Sequence, residues 1–263
     1  MDNLQEKSRK AANKTAQAPE AAGPDVAGSL PLYASPRAVH SRTHADVAVL
    51  TGAGDYAFAA SAPMVQLTVD EFERAGLDYP IVFFGEDAQP YAVTSLEADR
   101  NQFIVDGQFR TGSYIPAYLR RYPFVFARDE NSDRLILCLD HASSRVGKRG
   151  DAGAVPLFEG DEPTAATRQA LDFCETYVAA DGRTRNLVAL LREYDLLAGQ
   201  QSHYTAPGAE QPTLLLEFQT ISAQKLAELS DEAFLRLRTL GALPAIYAQI
   251  ASQANWERLP LTA

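Results

Sequence analysis

The chain has 263 residues, of which 46% are hydrophobic and 22% are charged, and its formal net charge is -10 at pH 7. This length and composition suit one large domain or two small ones with a sizeable core. The acidic excess argues against binding nucleic acid or an anionic membrane surface, because both need clustered lysine and arginine. No apolar run reaches the roughly 18 residues of a membrane-spanning helix, and no signal sequence is recognisable. We therefore expect a cytoplasmic protein without membrane insertion.

Residues 1–30 contain no aromatic residue, many alanines and charges of both signs. Such a segment buries too little apolar surface to offset the entropy lost on ordering. We predict a disordered tail over residues 1–30, followed by one domain over residues 31–263.

From residue 30 to about residue 156 the pattern is rich in strand-forming residues. Turn-forming residues separate short runs, which we predict to be strands at 46–50, 64–67, 81–84, 91–95, 124–127 and 135–139. Residues 129–133 are predicted to form a hairpin turn between the last two. Thr68 and Glu71 have the spacing of a capping box, which predicts a short helix ending near Gly76. A second short helix is predicted at 114–121.

Beyond Pro163 the apolar residues recur at helical spacing. One helix is predicted to begin at Thr164 and to stop at Asp181 and Gly182, and a second to end at Gly199, so that the two pack as a helical hairpin. After a loop, residues 214–221 are predicted to form a strand, followed by helices at 222–229, 231–240 and 243–256.

These elements predict an α+β fold: a curved, mainly antiparallel sheet with packed helices and a helix-rich C-terminal half. A single domain is favoured, because the strand at 214–221 can return to the first sheet. Cys138 and Cys174 both lie in apolar sequence and neither belongs to a CxxC pair. We expect two buried free thiols, which is consistent with a reducing compartment.

Two unusual segments, at 79–83 and 114–124, resemble the SapC family, bacterial proteins named after a gene of a surface-array locus. Further matches, in order along the chain, lie at 31–33, 44, 56–59, 71–72, 101–103, 138–140, 156–158 and 241–243. The resemblance covers about residues 30–259. One departure is His141, which stands where family members usually have an acidic residue.

The resemblance implies no established activity. Family members are similar in lying beside genes for TonB-dependent receptors, halogenase-like flavoproteins and cupin-like proteins. This implies an accessory role in handling a surface-acquired ligand or in modifying a peptide. A flavoprotein or a protein of the TonB-receptor system is the partner to expect.

Tyrosine and arginine residues are concentrated in the segment from 79 to 126. Such a cluster can stack a planar or peptidic ligand and bind its carboxylate through the guanidinium group. Adjacent residues of a helix point about 100° apart, so at most one of Arg120 and Arg121 can face such a site. The alternative is that the aromatic residues fill the core and the arginines pair with carboxylates. The candidate ligand-binding residues are Arg110, Tyr114, Tyr118, Arg120, Arg121 and Asp140.

His44 and Asp46 alternate along a predicted strand and so would face the same side. With His141, or with His203 in its place, they have the composition of a two-histidine, one-carboxylate iron site. His44, Asp46 and His141 are therefore candidate metal ligands. No cofactor is the simpler expectation, and iron is the alternative.

Other motifs carry less weight. Residues 52–57 match G-x-G-x-x-A, but no amphipathic helix follows, so we interpret them as a glycine turn rather than a dinucleotide loop. Asp140, His141 and Ser143 contain an acid, a base and a hydroxyl, but a catalytic triad also needs an oxyanion hole. The sequence lacks the motifs of serine hydrolases, zinc proteases and P-loop proteins.

Three hypotheses of function follow. The first is a binding or accessory protein for a peptide or small ligand, linked to surface-layer or TonB-receptor-associated uptake or modification. The second is a metal-dependent oxygenase of the non-haem-iron type. The third is a scaffold for a halogenase-like flavoprotein.

Overall fold

A computed structural model describes residues 30–50, 55–128, 134–204, 211 and 213–259. Apart from Leu30, the tail predicted for residues 1–30 lies outside the described residues. The predicted turn at 129–133 and the glycines of the 52–57 motif lie outside them as well.

The strands are short until the last two. In chain order they are β1 (Pro36–Ala38), β2 (Val47–Leu50), β3 (Met64–Gln66), β4 (Ile81–Phe84), β5 (Gln89–Val93), β6 (Ile104–Val105), β7 (Gln108–Phe109), β8 (Phe124–Arg128), β9 (Leu135–Asp140), β10 (Val146–Lys148), β11 (Ala154–Pro156), β12 (Phe158–Glu159), β13 (Glu162–Pro163), β14 (Leu197–Tyr204) and β15 (Thr213–Ile221).

The helices are α1 (Phe72–Ala75), α2 (Ala117–Arg120), α3 (Ala165–Glu193), α4 (Ala223–Ala227), α5 (Asp231–Thr239) and α6 (Leu243–Ser252). Three 3-10 turns lie at Ala57–Ala59, Val69–Glu71 and Gln253–Arg258. The capping pair works as predicted, because the backbone N–H of Thr68 donates to the Glu71 carboxylate and Gly76 ends α1. The predicted helix at 114–121 is shorter, since Pro116 is in an extended conformation and α2 starts after it.

The largest sheet has five strands in the order β14-β15-β4-β5-β3. Smaller sheets have the orders β1-β9-β8, β10-β2-β11, β12-β13 and β6-β7. Every described pairing is antiparallel. The α+β class is confirmed, but the strands are divided among separate sheets instead of forming one curved sheet. Prolines at the ends of β1, β11 and β13 contribute to this division, because proline has no N–H to continue a ladder.

The predicted helical hairpin is wrong: α3 is one helix of 29 residues that continues through Asp181 and Gly182. Its buried residues lie on one stripe, which includes Cys174, Tyr177, Leu187 and Leu191. The N-terminal part of this stripe packs on one core cluster and the C-terminal part on another, so burial on both sides of Gly182 outweighs the helix-breaking tendency of glycine.

The segment after α3 also differs from the prediction. Gly199 does not end a helix but lies within β14, and part of the predicted loop is strand. Pairing with the apolar β15 holds β14 in place although its own sequence is polar. The predicted return of β15 to the first sheet is confirmed by its pairing with β4.

The main core lies between the five-stranded sheet and helices α1, α3, α5 and α6. A second cluster joins Val65 of β3, Tyr118 of α2 and Tyr177 of α3. Cys138 and Cys174 are buried free thiols, as predicted, and burial raises the pKa of each to about 11. Within the described residues, no helix combines the length and apolar composition needed to cross a membrane.

Candidate functional site

The segment before β1 is tied to the end of β9 by Asp140. The carboxylate of Asp140 accepts hydrogen bonds from the backbone N–H groups of Ala34 at 2.9 Å, Ser35 at 2.8 Å and Ala142 at 3.1 Å. This carboxylate is buried and its oxygens are occupied by the chain itself. Asp140 therefore positions the neighbouring Tyr33, and the structure gives it no free oxygen for a ligand.

Tyr33 contributes to a cage of three tyrosine rings around Arg121. The guanidinium carbon lies 5.7 Å from the ring centre of Tyr33, 4.3 Å from that of Tyr118 and 4.2 Å from that of Tyr177. These three rings come from the N-terminal segment, α2 and α3. Cation–π contacts of this kind stabilise a partly buried guanidinium group. We call these four residues the Arg121 cage.

The cage leaves two polar atoms without partners. Arg121 forms no ion pair with a described carboxylate, and its buried Nε has no hydrogen-bond partner among the described residues. The buried hydroxyl of Tyr177 also lacks one. A buried polar atom without a partner costs about 1–3 kcal/mol, so such atoms are rare unless a ligand or water satisfies them.

The other two tyrosine hydroxyls are already engaged. Tyr33 donates to the carbonyl of Phe124 at 2.8 Å, and Tyr118 donates to the carbonyl of Pro31 at 2.6 Å. Burial raises the pKa of Tyr177 strongly, and the nearby Arg121 opposes the rise only in part. Tyr177 is therefore a neutral hydrogen-bond donor at physiological pH, next to a positive charge. Both the Nε of Arg121 and the hydroxyl of Tyr177 are hydrogen-bond donors.

A second polar centre surrounds Glu71, which the sequence indicated as a helix cap and as part of a match to the SapC family but not as a site residue. Its carboxylate accepts from Thr68 N–H at 2.8 Å, from Ala117 N–H at 2.6 Å and from the Tyr114 hydroxyl at 3.1 Å. Burial and the charge of Glu71 raise the pKa of Tyr114 to about 12, in spite of the opposing effect of Arg120. Tyr114 is thus part of a satisfied structural network.

Arg120 belongs to this second centre and not to the cage. Its Nη2 donates to the Tyr114 hydroxyl at 3.1 Å, and its guanidinium lies over the rings of Tyr114 and Phe173. As predicted for adjacent helix residues, Arg120 and Arg121 point to different surroundings. Arg110 is exposed and lies 5.2 Å from the ring centre of Phe103, away from both. Arg110, Arg120 and Arg121 thus contact aromatic rings, and within the described residues none of the three forms an ion pair with the carboxylates that the alternative interpretation assigned to them.

A cavity of about 220 Å³ shares one lining residue, Tyr118, with the cage. Tyr118 lines this cavity together with Pro31, Leu32, Met64 and Gln66, and the lining is mostly apolar. Tyr118 is the one residue of the cage that also lines the cavity.

The histidines predicted as metal ligands are only partly brought together. The rings of His44 and His141 are neighbours, with centres 4.9 Å apart, and the buried Nε2 of His141 has no partner among the described residues. Asp46, however, is exposed, and His203 lies on β14 in a different sheet. No three His, Cys, Asp or Glu side chains within the described ranges are placed to hold a metal ion. The geometry therefore gives the predicted iron site no support.

Two members of the cage, Tyr33 and Tyr177, were missed as site residues. Tyr33 was noticed only as part of a match to the SapC family, and Tyr177 only as an apolar position of a helix. Both meet Arg121 through contacts between distant parts of the chain, for which a single sequence carries no local signal.

The fold and site define an α+β protein with a candidate anion-binding cage beside an apolar cavity. The SapC family model matches residues 39–259, and the chain belongs to the SapC family. Arg121, Tyr118 and Tyr177 lie within the matched residues and Tyr33 lies before them. No curated protein and no solved structure matches the chain significantly.

Proposed function

We propose that this protein is a non-catalytic binding or accessory protein whose ligand carries a carboxylate held by Arg121 and Tyr177. The observation that carries the proposal is the pair of buried, unpartnered donor atoms in the Arg121 cage. A guanidinium group and a neutral hydroxyl together donate to both oxygens of a carboxylate. The adjacent cavity then takes an apolar part of the same ligand.

Tyr177→Phe provides the sharpest test. The hydroxyl has no partner among the described residues, so its removal should not lower the free energy of unfolding and should raise it by up to about 1–3 kcal/mol. The same change should weaken ligand binding about tenfold or more, because a hydrogen bond to a charged group is worth about 1.5–3 kcal/mol. A residue with only a structural role would not separate stability from binding in this way.

Small apolar acids, benzoate and 4-methylpentanoate, serve as probes, with their amides as uncharged controls. Saturation-transfer NMR measures binding to the native protein, to Tyr177→Phe, to Arg121→Lys and to the matched control Arg120→Lys. We expect the acids alone to bind, Arg120→Lys to behave as the native protein, and the first two variants to lose affinity. Equal binding of acids and amides, or binding unchanged in both cage variants, would refute the carboxylate site.

The setting in which the protein works is a further part of the proposal. Family resemblance supports a cytoplasmic accessory role in surface-layer or TonB-receptor-associated uptake or modification, with a flavoprotein or a protein of that receptor system as partner. Affinity purification from the native host tests this. A pure scaffold should retain a protein partner equally well in native protein and in Arg121→Lys, whereas a ligand-dependent accessory protein should lose it in the variant.

A further inference from the structure

Strand β3 is a free edge of the five-stranded sheet. Among the described strands it pairs with β5 alone, through the positions Met64, Val65 and Gln66. Hydrogen bonds from Thr94 N–H to the Pro63 carbonyl and from Leu67 N–H to the Pro90 carbonyl flank these positions. Because bonded and non-bonded pairs alternate in an antiparallel ladder, Val65 must be bonded to β5.

The alternation leaves the backbone N–H and C=O groups of Met64 and Gln66 pointing away from β5. No described residue outside the ladder bonds to these groups. An unpaired row of this kind is a template for another extended chain, and peptide recognition by strand addition uses such edges.

The apolar cavity lies directly at this edge. All three residues of β3 line it, and Pro31, Leu32 and Tyr118 line it from other elements. Its volume of about 220 Å³ is below the range of about 300–1,000 Å³ that is usual for pockets enclosing a whole drug-sized ligand. The cavity is better matched to a single apolar side chain of a longer ligand.

Charge complementarity indicates which part of a peptide would bind at this edge. Arg121 does not itself line the cavity, but its guanidinium carbon lies 4.3 Å from the ring centre of Tyr118, a residue that does, and it has no described carboxylate partner. At the end of a peptide, the last side chain and the terminal carboxylate belong to one residue. The side chain of a C-terminal residue can therefore fill the cavity while its terminal carboxylate faces Arg121. The peptide then needs no acidic side chain at another position.

We infer that the ligand is the C-terminal end of an extended peptide, which adds as a strand to β3, places its last apolar side chain in the cavity and presents its carboxylate to Arg121. This inference rests on the proposed function and specifies the class of ligand. The strand contacts give affinity independent of sequence, and the cavity and Arg121 select a free, apolar C-terminus.

The probe is a pool of synthetic hexapeptides that end in Leu, Val or Phe and vary at the other five positions. One pool has free carboxyl ends and a matched pool has amidated ends. Each is passed over the immobilised native protein, retained peptides are identified by mass spectrometry, and the best one is measured by fluorescence anisotropy. We expect retention from the free-acid pool and at least tenfold weaker binding of the same peptide as an amide.

Variants at position 66 test the strand contact. Gln66→Pro removes an outward N–H while sparing the ladder bonds of Val65 and Leu67, so it should weaken peptide binding about tenfold. Gln66→Ala changes the side chain but keeps the N–H, and should bind as the native protein does. Should Gln66→Pro not fold, the retained peptide is instead methylated on successive backbone nitrogens, and loss of binding at alternate positions is the expected result.

The outcomes separate the two proposals. If the small acids bind through Arg121 but neither peptide pool is retained, the carboxylate site stands and the peptide inference is overturned. If peptides bind equally as acids and amides, and equally to Gln66→Pro, the inference is overturned as well. If neither acids nor peptides bind, both proposals fail.

Discussion

At the residue scale, the buried acidic groups are satisfied by the chain, whereas the buried Nε of Arg121 has no partner among the described residues. Asp140 and Glu71 each accept several hydrogen bonds from backbone N–H groups, which explains how carboxylates can be buried in a small protein. Arg121 has aromatic faces around it but no described anion. This contrast assigns the two acids to the fold and is the reason why we propose Arg121 as a ligand contact.

The structural role of Asp140 can be tested by Asp140→Asn. An amide has one oxygen, so its NH₂ group would face a backbone N–H of Ala34 or Ser35 in place of an acceptor. We expect a loss of about 2–3 kcal/mol in the free energy of unfolding, measured by urea denaturation. The exposed Asp46→Asn is the control and should change it by no more than about 0.5 kcal/mol. An equally small effect at Asp140 would contradict the structural assignment.

The buried histidine pair predicts a dependence of stability on pH. Burial lowers the pKa of both His44 and His141. The charge of Arg37 lowers both pKa values further. Asp140 raises the pKa of His141. The backbone of His40 raises the pKa of His44, and the ring of His40 lowers it. The folded state thus disfavours the charged imidazoles. Their contribution to stability is complete above the unfolded pKa of about 6.5 and is lost as the pH falls below it.

Urea unfolding between pH 8 and pH 5 measures this effect. We expect the free energy of unfolding to fall below pH 6.5 in the native protein, and to fall less in His141→Gln, which removes one titrating ring. His203→Gln changes an exposed residue and should retain the native slope. Identical slopes in all three proteins would show that the histidine pair is not responsible.

At the scale of elements, α3 shows how packing overrides a local stop signal. Gly182 lies inside the helix, and a Cβ built on it would meet only the end of the Arg185 side chain, at 4.0 Å. Gly182→Ala should therefore raise the free energy of unfolding by about 0.5–1 kcal/mol, because alanine is the better helix former.

A second glycine serves as the contrast for this measurement. Gly241 has a φ of 71°, where a side chain is strained, so Gly241→Ala should lower stability by about 1–2 kcal/mol. Both variants are measured by urea denaturation. A destabilising effect of Gly182→Ala would mean that the helix is not continuous at this point.

Local signals explain what could be predicted from the sequence. Thr164 caps α3 as predicted, Ser222 and Ser230 cap α4 and α5 at the starts of two predicted helices, and the stronger strand runs were located to within a few residues. Strands of two residues, such as β6 and β12, carry too little pattern to be recognised. The cage was found only in part, because Arg121 and Tyr118 are close in sequence whereas Tyr33 and Tyr177 reach them through the fold.

At the scale of the whole molecule, the C-terminal half completes the sheet of the first half. Strand β15 pairs with β4, and the buried Gln249 of α6 accepts from Ile221 N–H at 3.1 Å and donates to the Ile81 carbonyl at 2.8 Å. One side chain thus joins α6 to two neighbouring strands that come from the two halves of the sequence. Separating the halves would leave buried backbone groups of both strands without partners, which is costly.

This arrangement predicts that residues 31–263 unfold as one cooperative unit. Trp256, the one tryptophan of the chain, reports by fluorescence on the C-terminal half, and the buried thiol of Cys138 reports on β9 of the first half. In a Cys174→Ala background, labelling of Cys138 across a urea series should have the same midpoint as the fluorescence of Trp256. A lower midpoint for Cys138 would mean that the small sheets open before the five-stranded sheet. The Arg121 cage, which joins the small sheets to α3 through Tyr33, would then open with them, and ligand binding should be lost at that lower midpoint.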